Sequence, residues 1–210
     1  MLPPIENLIA FTIAASVLTI TPGLDTALVV RTSAAESARN AMLAGLGICL
    51  GCLGWGAIVA AGLGALLAAS ELAYNVLRWI GAFYLFYLGF RLLRSPRRDF
   101  LESADHAADG ESGNWFWRGF LTNMLNPKVG VFYVSFLPQF IPASANVFVS
   151  SLLLAAIHAL LGFAWFVALI LATRPIAGVL RRPKVTQWLD RVTGGIFVLF
   201  GVRLLFSSRN

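Results

Sequence analysis

Charge is what this sequence has least of for its size. Of its 210 residues, 12% are Asp, Glu, Lys or Arg and 58% are hydrophobic. A soluble domain usually carries about twice that charged fraction. The charges are also clustered, which leaves several apolar stretches of about 18 residues or more, enough to cross roughly 30 Å of hydrocarbon as helices. The sequence therefore predicts an all-α integral membrane protein, with residues 1–210 forming a single transmembrane domain.

Two further absences narrow the function classes. The N-terminal sequence lacks the basic region and small-residue cleavage site of a secretory signal, which predicts a retained first span. The net charge is +6, but no basic aromatic patch or soluble module accompanies it, so nucleic acid is not a predicted partner. Most arginines lie between hydrophobic segments instead, which is a topology signal of membrane proteins.

Cysteine is scarce, and its spacing leaves two interpretations. Cys49 and Cys52 form a C-x-x-C, a spacing found in redox and metal sites. Both lie in an apolar, glycine-rich segment with no histidine or carboxylate nearby in the sequence. We therefore favour small packed residues and predict no metal and no cofactor. An intramembrane thiol-disulfide oxidoreductase is kept as an alternative function.

Hydrophobic periodicity and breaks predict six spans. They cover 5–33, 41–68, 72–93, 115–138, 147–173 and 187–206, with a polar connector at 94–114. The basic residues assigned to one side are Arg31, Arg39, Arg91, Arg94, Arg97, Arg98, Arg118, Arg174, Arg181, Arg182 and Lys184, whereas Arg78, Arg203 and Arg209 fall on the other. The positive-inside rule makes the first side cytoplasmic. Both termini are then predicted to be extracytoplasmic.

The two halves of the chain resemble each other. Residues 77–93 and 189–205 align without gaps and share Leu, Gly, Arg, Leu and Leu at matching positions. Proline interrupts the first span of each half, so repeat one is about 1–93 and repeat two about 115–210. Because three is an odd number of spans, the second half inserts upside down relative to the first. This predicts the inverted-repeat plan of many secondary transporters, with broken first and fourth helices and a site between them.

The two interruptions are the strongest candidate site. Pro22 precedes Gly23 in the first span, and Pro127 follows Asn126 in the fourth. Each proline removes an N–H donor, so the carbonyls of Leu18 and Asn123 are predicted to lose their helical partners. Free backbone groups at membrane depth have to be buried against protein or line a watery cavity. A single proline favours a simple kink, but two breaks at corresponding positions favour a site whose carbonyls suit an ammonium group and whose helix N-termini suit a carboxylate.

Charged and polar side chains accompany these breaks. Asp25 follows the first break, where Thr21 also lies, and a carboxylate at that depth is protonated, paired or hydrated. It is predicted to exchange protons or to bind a substrate ammonium group, and capping of the second half-helix is compatible with either role. Lys128 is predicted to pair with Asp25 or meet a substrate carboxylate rather than snorkel, and Asn123 and Asn126 add polar groups to the same element.

Two features of the other spans leave alternatives open. His158 in the fifth span is either a hydrogen-bonded packing residue or a proton relay. Gly47 and Gly51 form a G-x-x-x-G in the second span, which permits close helix packing either within one chain or between chains of a homo-oligomer.

Two motifs carry a family resemblance over essentially the whole chain. T-P-G-x-D at 21–25 and G-F-L-T-N-M-L-N-P-K at 119–128 resemble those of the lysine exporter and homoserine-threonine efflux family (LysE/RhtB) of bacterial amino-acid exporters. The first motif usually reads T-P-G-P-D, and Leu24 replaces its second proline here. The resemblance implies a protein of the bacterial inner membrane. It also implies efflux of amino acids or their derivatives, driven by the proton-motive force. By position, it implies a functional core of Pro22, Gly23, Asp25, Asn126, Pro127 and Lys128.

The sequence thus predicts a proton-coupled secondary transporter and no enzyme. Its expected partners are a small amino-acid or related zwitterionic substrate, protons and the lipid bilayer, and a homo-oligomer is left open as an alternative to a single chain. A passive channel is the second alternative, beside the thiol-disulfide oxidoreductase.

Overall fold

The computed structural model describes residues 2–21, 23–69, 71–95, 114–142, 144–172 and 182–206. These residues form helices and turns, and none of them lies in a β-strand. Pro22 and most of the predicted connector lie outside the described residues. So do five of the arginines used for orientation, namely Arg97, Arg98, Arg174, Arg181 and Arg209.

The helices follow the predicted segments closely. Those of the first half are α1 (Ile5–Ile20), α2 (Leu24–Ala35), α3 (Ala38–Ala69) and α4 (Glu71–Arg94). Those of the second half are α5 (Trp115–Met124), α6 (Pro127–Val131), a π-helical turn (Phe132–Phe136), a 3-10 turn (Leu137–Phe140), α7 (Val147–Leu171) and α8 (Pro183–Phe206). The all-helical class is confirmed, and both predicted interruptions coincide with helix ends.

Membrane-spanning character is clearest in two helices. Ala38–Gly62 of α3 and Val147–Leu171 of α7 are long and apolar enough to cross a membrane, and α1 with α2 would make a third span bent by 50°. Large apolar side chains also face outward, such as Ile5, Leu125, Leu160 and Leu171, as expected for a surface in contact with lipid. The multi-pass membrane class is supported. Six passes in two inverted repeats, and the orientation of the termini, stay predictions.

Asparagine side chains cap the N-termini of three helices in the second half of the chain. Asn114 accepts a hydrogen bond from the Phe116 N–H, and Asn146 accepts one from the Val149 N–H. Asn126 does the same for α6 through the Lys128 N–H. Each amide oxygen satisfies a backbone donor that has no intrahelical partner. The caps fix where these helices begin, including the helix that follows the second break.

Glycines let α3 pack closely against α5 and α7. A Cβ on Gly47 would overlap the Phe116 carbonyl, and a Cβ on Gly51 would lie 2.5 Å from the Asn123 amide oxygen. On the α7 side, a Cβ on Gly56 would overlap Ala155. The G-x-x-x-G therefore serves packing within one chain, the first of the two predicted alternatives, and Gly51 brings α3 directly against a site residue.

The buried apolar side chains of the described residues form two clusters. One cluster joins α1, α3, the π-helical turn and α7, and it includes Phe11, Tyr133 and Leu154. The other joins α2, α3 and α7, and it includes Ile48 and Phe166. Cys49 packs partly against both.

Candidate functional site

The first break is occupied by the ammonium group of Lys128. The Lys128 Nζ donates to the carbonyl oxygens of Leu18 at 3.1 Å and Thr21 at 3.0 Å. The Thr21 hydroxyl donates to the Val17 carbonyl at 2.7 Å, which closes the last turn of α1. Cations are favoured at a helix C-terminus because the carbonyl dipoles point toward them. The Leu18 carbonyl, predicted to lose its helical partner, has an ammonium group in its place.

The second break is stabilised by a hydrogen bond from a residue of α3 and by a hydrogen bond within the break. The carbonyl oxygen of Asn123 accepts from the Asn126 N–H at 3.0 Å and from the Trp55 indole nitrogen at 3.4 Å. Pro127 is the first residue of α6, where its missing N–H costs no helical bond. The freed carbonyl at this break is thus satisfied by a neighbouring amide and by a tryptophan that the sequence interpretation did not single out.

Asp25 joins the two breaks. Its Oδ2 accepts from the Asn123 Nδ2 at 2.8 Å, and its Oδ1 accepts from the Asn126 Nδ2 at 3.3 Å. Gly23 is the N-cap of α2, so Asp25 lies in the first turn of that helix. The proton-exchange and substrate-binding roles of Asp25 stay predictions. The carboxylate binds amides of the second break while the helix dipole of α2 favours its charge.

His158 is hydrogen-bonded inside the protein. Its Nδ1 lies 3.0 Å from the hydroxyl oxygen of Tyr133, which belongs to the π-helical turn after the second break. His158 is buried but still lines the cavity described below. The structure thus bears out the hydrogen-bonded packing role, and the relay role stays a prediction.

A small cavity of about 40 Å³ lies where these elements meet. About 10–15 Å³ of such volume accommodates one water molecule, so a few waters fit and an amino acid requires its walls to move. The lining residues are Leu18, Thr19, Thr21, Gly23, Asp25, Thr26, Ile48, Cys49, Cys52, Asn126, Lys128, Val129, His158, Ala159, Gly162 and Phe166. The cavity therefore brings together most of the residues predicted from the two breaks with α3 and α7.

The two cysteines lie at this cavity as free thiols. Cys49 Sγ lies 3.4 Å from the Ala159 carbonyl oxygen, and Cys52 Sγ lies 3.7 Å from the Asn123 Nδ2. Within the described residues, no group of three His, Cys, Asp or Glu side chains is arranged to hold a metal ion. Both cysteines are small packed residues that line the cavity. Their C-x-x-C spacing did not indicate this position.

Charge and dipoles are complementary across the site. The ammonium group of Lys128, from the second half of the chain, binds carbonyls of the first break. The carboxylate of Asp25, from the first half, binds amides of the second break. These are the two kinds of contact that recognise the ammonium and carboxylate groups of a zwitterion. The arrangement can exchange such groups with a ligand without leaving a buried charge unpaired.

The chain matches known proteins over nearly all of its length. A family model described as LysE type translocator matches residues 16–208. The chain is 28% identical over 205 residues to the membrane protein YrhP of Bacillus subtilis, covering 94% of this chain and 98% of that protein. It is 28% identical to the threonine efflux protein of Salmonella typhi, with coverages of 90% and 92%. It is 30% identical to the leucine efflux protein of an Enterobacter species, with 94% of each chain covered. No solved structure matches it.

Proposed function

The chain belongs to the LysE type translocator family, and we propose that it exports amino acids or related small zwitterions from the cytoplasm through the cavity between its two breaks. It is a transporter rather than an enzyme. The relatives named for threonine and leucine efflux support amino acids as the substrate class. Family membership does not favour the thiol-disulfide alternative.

The observation that carries this proposal is the pair of crossed contacts at the breaks. A substrate ammonium group can take the place of the Lys128 Nζ on the carbonyls of Leu18 and Thr21, or it can bind Asp25. A substrate carboxylate can pair with the released lysine or bind the amides of Asn123 and Asn126. Both exchanges replace one charged partner by another, which avoids the cost of an unpaired charge inside a membrane protein.

Proton coupling is the finer part of the proposal. Asp25 is a half-buried residue of the first break whose carboxylate contacts the second break through Asn123 and Asn126. Protonating it removes the charge that these amides bind, so one proton can weaken the contact between the two breaks. Rocking of one half against the other then gives alternating access. Pro22 and Gly23, with Pro127, provide the points at which the backbone bends.

The proposal also includes the membrane in which the protein lies, the orientation of its termini and its oligomeric state. We place the protein in the bacterial inner membrane with both termini extracytoplasmic, on the distribution of arginine and lysine between the helices. A homo-oligomer is compatible with this proposal and is not required by it, because the cavity is built from one chain.

Efflux measurements on Asp25→Asn test the proposal. Cells are loaded with dipeptides, and amino-acid release is followed in wild type, in Asp25→Asn and in Glu36→Gln, whose carboxylate is exposed at the end of α2. We expect release to fall strongly in Asp25→Asn only, since the amide keeps the size but loses both charge and proton exchange. An uncoupler should abolish wild-type release, whereas a passive channel would keep it. Unchanged release in Asp25→Asn would remove the assigned role.

A further inference from the structure

Part of the cavity wall is apolar. Asp25, Lys128, Asn126 and Thr21 line the cavity together with four residues that have no polar side chain, Ile48, Ala159, Gly162 and Phe166. Phe166 is eight residues beyond His158 on α7, which at 1.5 Å per residue is about 12 Å along the helix. Ile48 and Phe166 belong to the apolar cluster of α2, α3 and α7. We call Ile48, Ala159, Gly162 and Phe166 the apolar pocket.

Gly162 keeps space open in this pocket. It is buried on α7, yet a Cβ at this position would meet, among the atoms of the described residues, only the Phe166 Cε2 atom, at 3.8 Å, within a 4 Å radius. The buried glycines of α3 differ, because a Cβ on Gly47 or Gly51 would collide with α5. A side chain at 162 is therefore compatible with the fold and takes up room beside Phe166. The glycine is not explained by helix packing.

Resting on the proposed function, we propose that the apolar pocket receives the side chain of an aliphatic amino acid, and that Gly162 sets how large that side chain can be. The zwitterionic groups then lie at the breaks, and the side chain extends along α7 toward Phe166. None of the four pocket residues has a charged or hydrogen-bonding side chain. A lysine or aspartate side chain placed there would be desolvated without a partner, which disfavours charged amino acids as substrates.

Substrate exchange tests the size limit. Proteoliposomes containing the purified full chain are preloaded with an unlabelled amino acid, and entry of labelled alanine, leucine or lysine is measured. Exchange needs no proton gradient, so the outcome does not depend on the coupling. The variants are Gly162→Ala and Gly162→Val. The matched control is Gly62→Ala, an exposed helical glycine with no atom within 4 Å of an added Cβ and no place in the cavity.

We expect wild type to exchange leucine and alanine in preference to lysine. Gly162→Ala should lower leucine exchange relative to alanine exchange by roughly tenfold or more, since one methylene in a hydrophobic pocket discriminates about 10- to 200-fold. Gly162→Val should extend the loss to alanine, and Gly62→Ala should match wild type. Alanine in place of a helical glycine favours the helix, so retained alanine exchange also reports that Gly162→Ala folds.

Three outcomes would overturn the inference. Equal loss of leucine and alanine in Gly162→Ala would mean that position 162 affects movement of the helices rather than side-chain size. A wild-type preference for lysine would remove the apolar side-chain site. In both cases the proposed export of amino acids would stand. Absence of exchange for every amino acid by wild type would overturn the proposed function together with the inference.

Discussion

The indole nitrogen of Trp55 lies 3.4 Å from the carbonyl oxygen of Asn123, whose own side-chain amide donates to Asp25 at 2.8 Å. One turn earlier on α3, Gly51 lies against the Asn123 side chain, where a Cβ would approach the amide oxygen to 2.5 Å. Helix α3 thus contacts both the backbone and the side chain of the same asparagine. Trp55 acts on the carboxylate of Asp25 only through Asn123, which makes it a positioning residue.

We expect Trp55→Phe to lower transport by roughly two- to tenfold, because one hydrogen bond contributes about 0.5–1.5 kcal/mol. The loss should be accompanied by a changed pH dependence of transport, since Asn123 contacts the Asp25 carboxyl group, which we propose exchanges the proton. Trp165→Phe is the matched control, as the Trp165 Nε1 is buried without a hydrogen bond to any residue described. A pH profile identical to that of wild type in Trp55→Phe would contradict the positioning role.

The two lysines of the chain provide a second matched comparison. Lys128→Met removes the cation from the carbonyls of Leu18 and Thr21, whereas Lys184 is exposed near the start of α8. Hydrogen bonds to charged groups contribute about 1.5–3 kcal/mol, so we expect at least a tenfold lower exchange rate in Lys128→Met. Lys184→Met should behave as wild type. Equal effects in the two variants would show that the position of the charge is unimportant.

The cysteines separate transport from thiol chemistry. We expect Cys49→Ser/Cys52→Ser to retain exchange of labelled amino acids, because the thiols fill space in the cavity wall and serine is of similar size. A small methanethiosulfonate reagent should inhibit wild type and leave the double variant unaffected, since both thiols line the cavity. Loss of exchange in the double variant, with normal amounts of folded protein, would revive the thiol-disulfide alternative.

Gly47 gives a prediction about stability rather than transport. A Cβ there would overlap the backbone carbonyl of Phe116, so Gly47→Ala has to push α3 and α5 apart. Overpacking of this kind typically costs about 1–3 kcal/mol, and we expect a lower thermal unfolding midpoint of the purified protein in detergent. Gly62→Ala should keep the wild-type midpoint, because a Cβ added at Gly62 has no atom of the described residues within 4 Å. Equal midpoints in the two variants would contradict the close packing.

The breaks were accessible to sequence reasoning because proline and glycine act locally. Pro127 removes one particular N–H, so the free carbonyl of Asn123 follows from covalent structure alone. The depth of Asp25 and Lys128 in apolar sequence likewise predicts that each needs a partner. Both have partners in the structure, because Asp25 accepts hydrogen bonds from side-chain amides and Lys128 donates to backbone carbonyls. The predicted pairing of Lys128 with Asp25 or with a substrate carboxylate stays a prediction.

What escaped prediction depends on contacts between distant segments. Trp55 resembles any tryptophan in an apolar helix, and only the packing of α3 on α5 brings its N–H to Asn123. Tyr133 pairs with His158 because a π-helical turn follows the second break, and no local residue pattern predicts that turn. Gly162 has no sequence signal either. Its open space is visible only once Phe166 and the cavity are placed.

The crossed contacts of Lys128 and Asp25 have a consequence for affinity. At each break, a charged side chain of the protein already makes the contacts that a zwitterionic substrate would make. The Lys128 ammonium group corresponds to the substrate ammonium group, and the Asp25 carboxylate corresponds to the substrate carboxylate. A zwitterion has to compete with these two side chains. Its dissociation constant therefore reflects the difference between the contacts it makes and the contacts of the side chains that it displaces. If the protein exports zwitterions as proposed, we expect it to bind them weakly, which favours their release on the side where the solute is already concentrated.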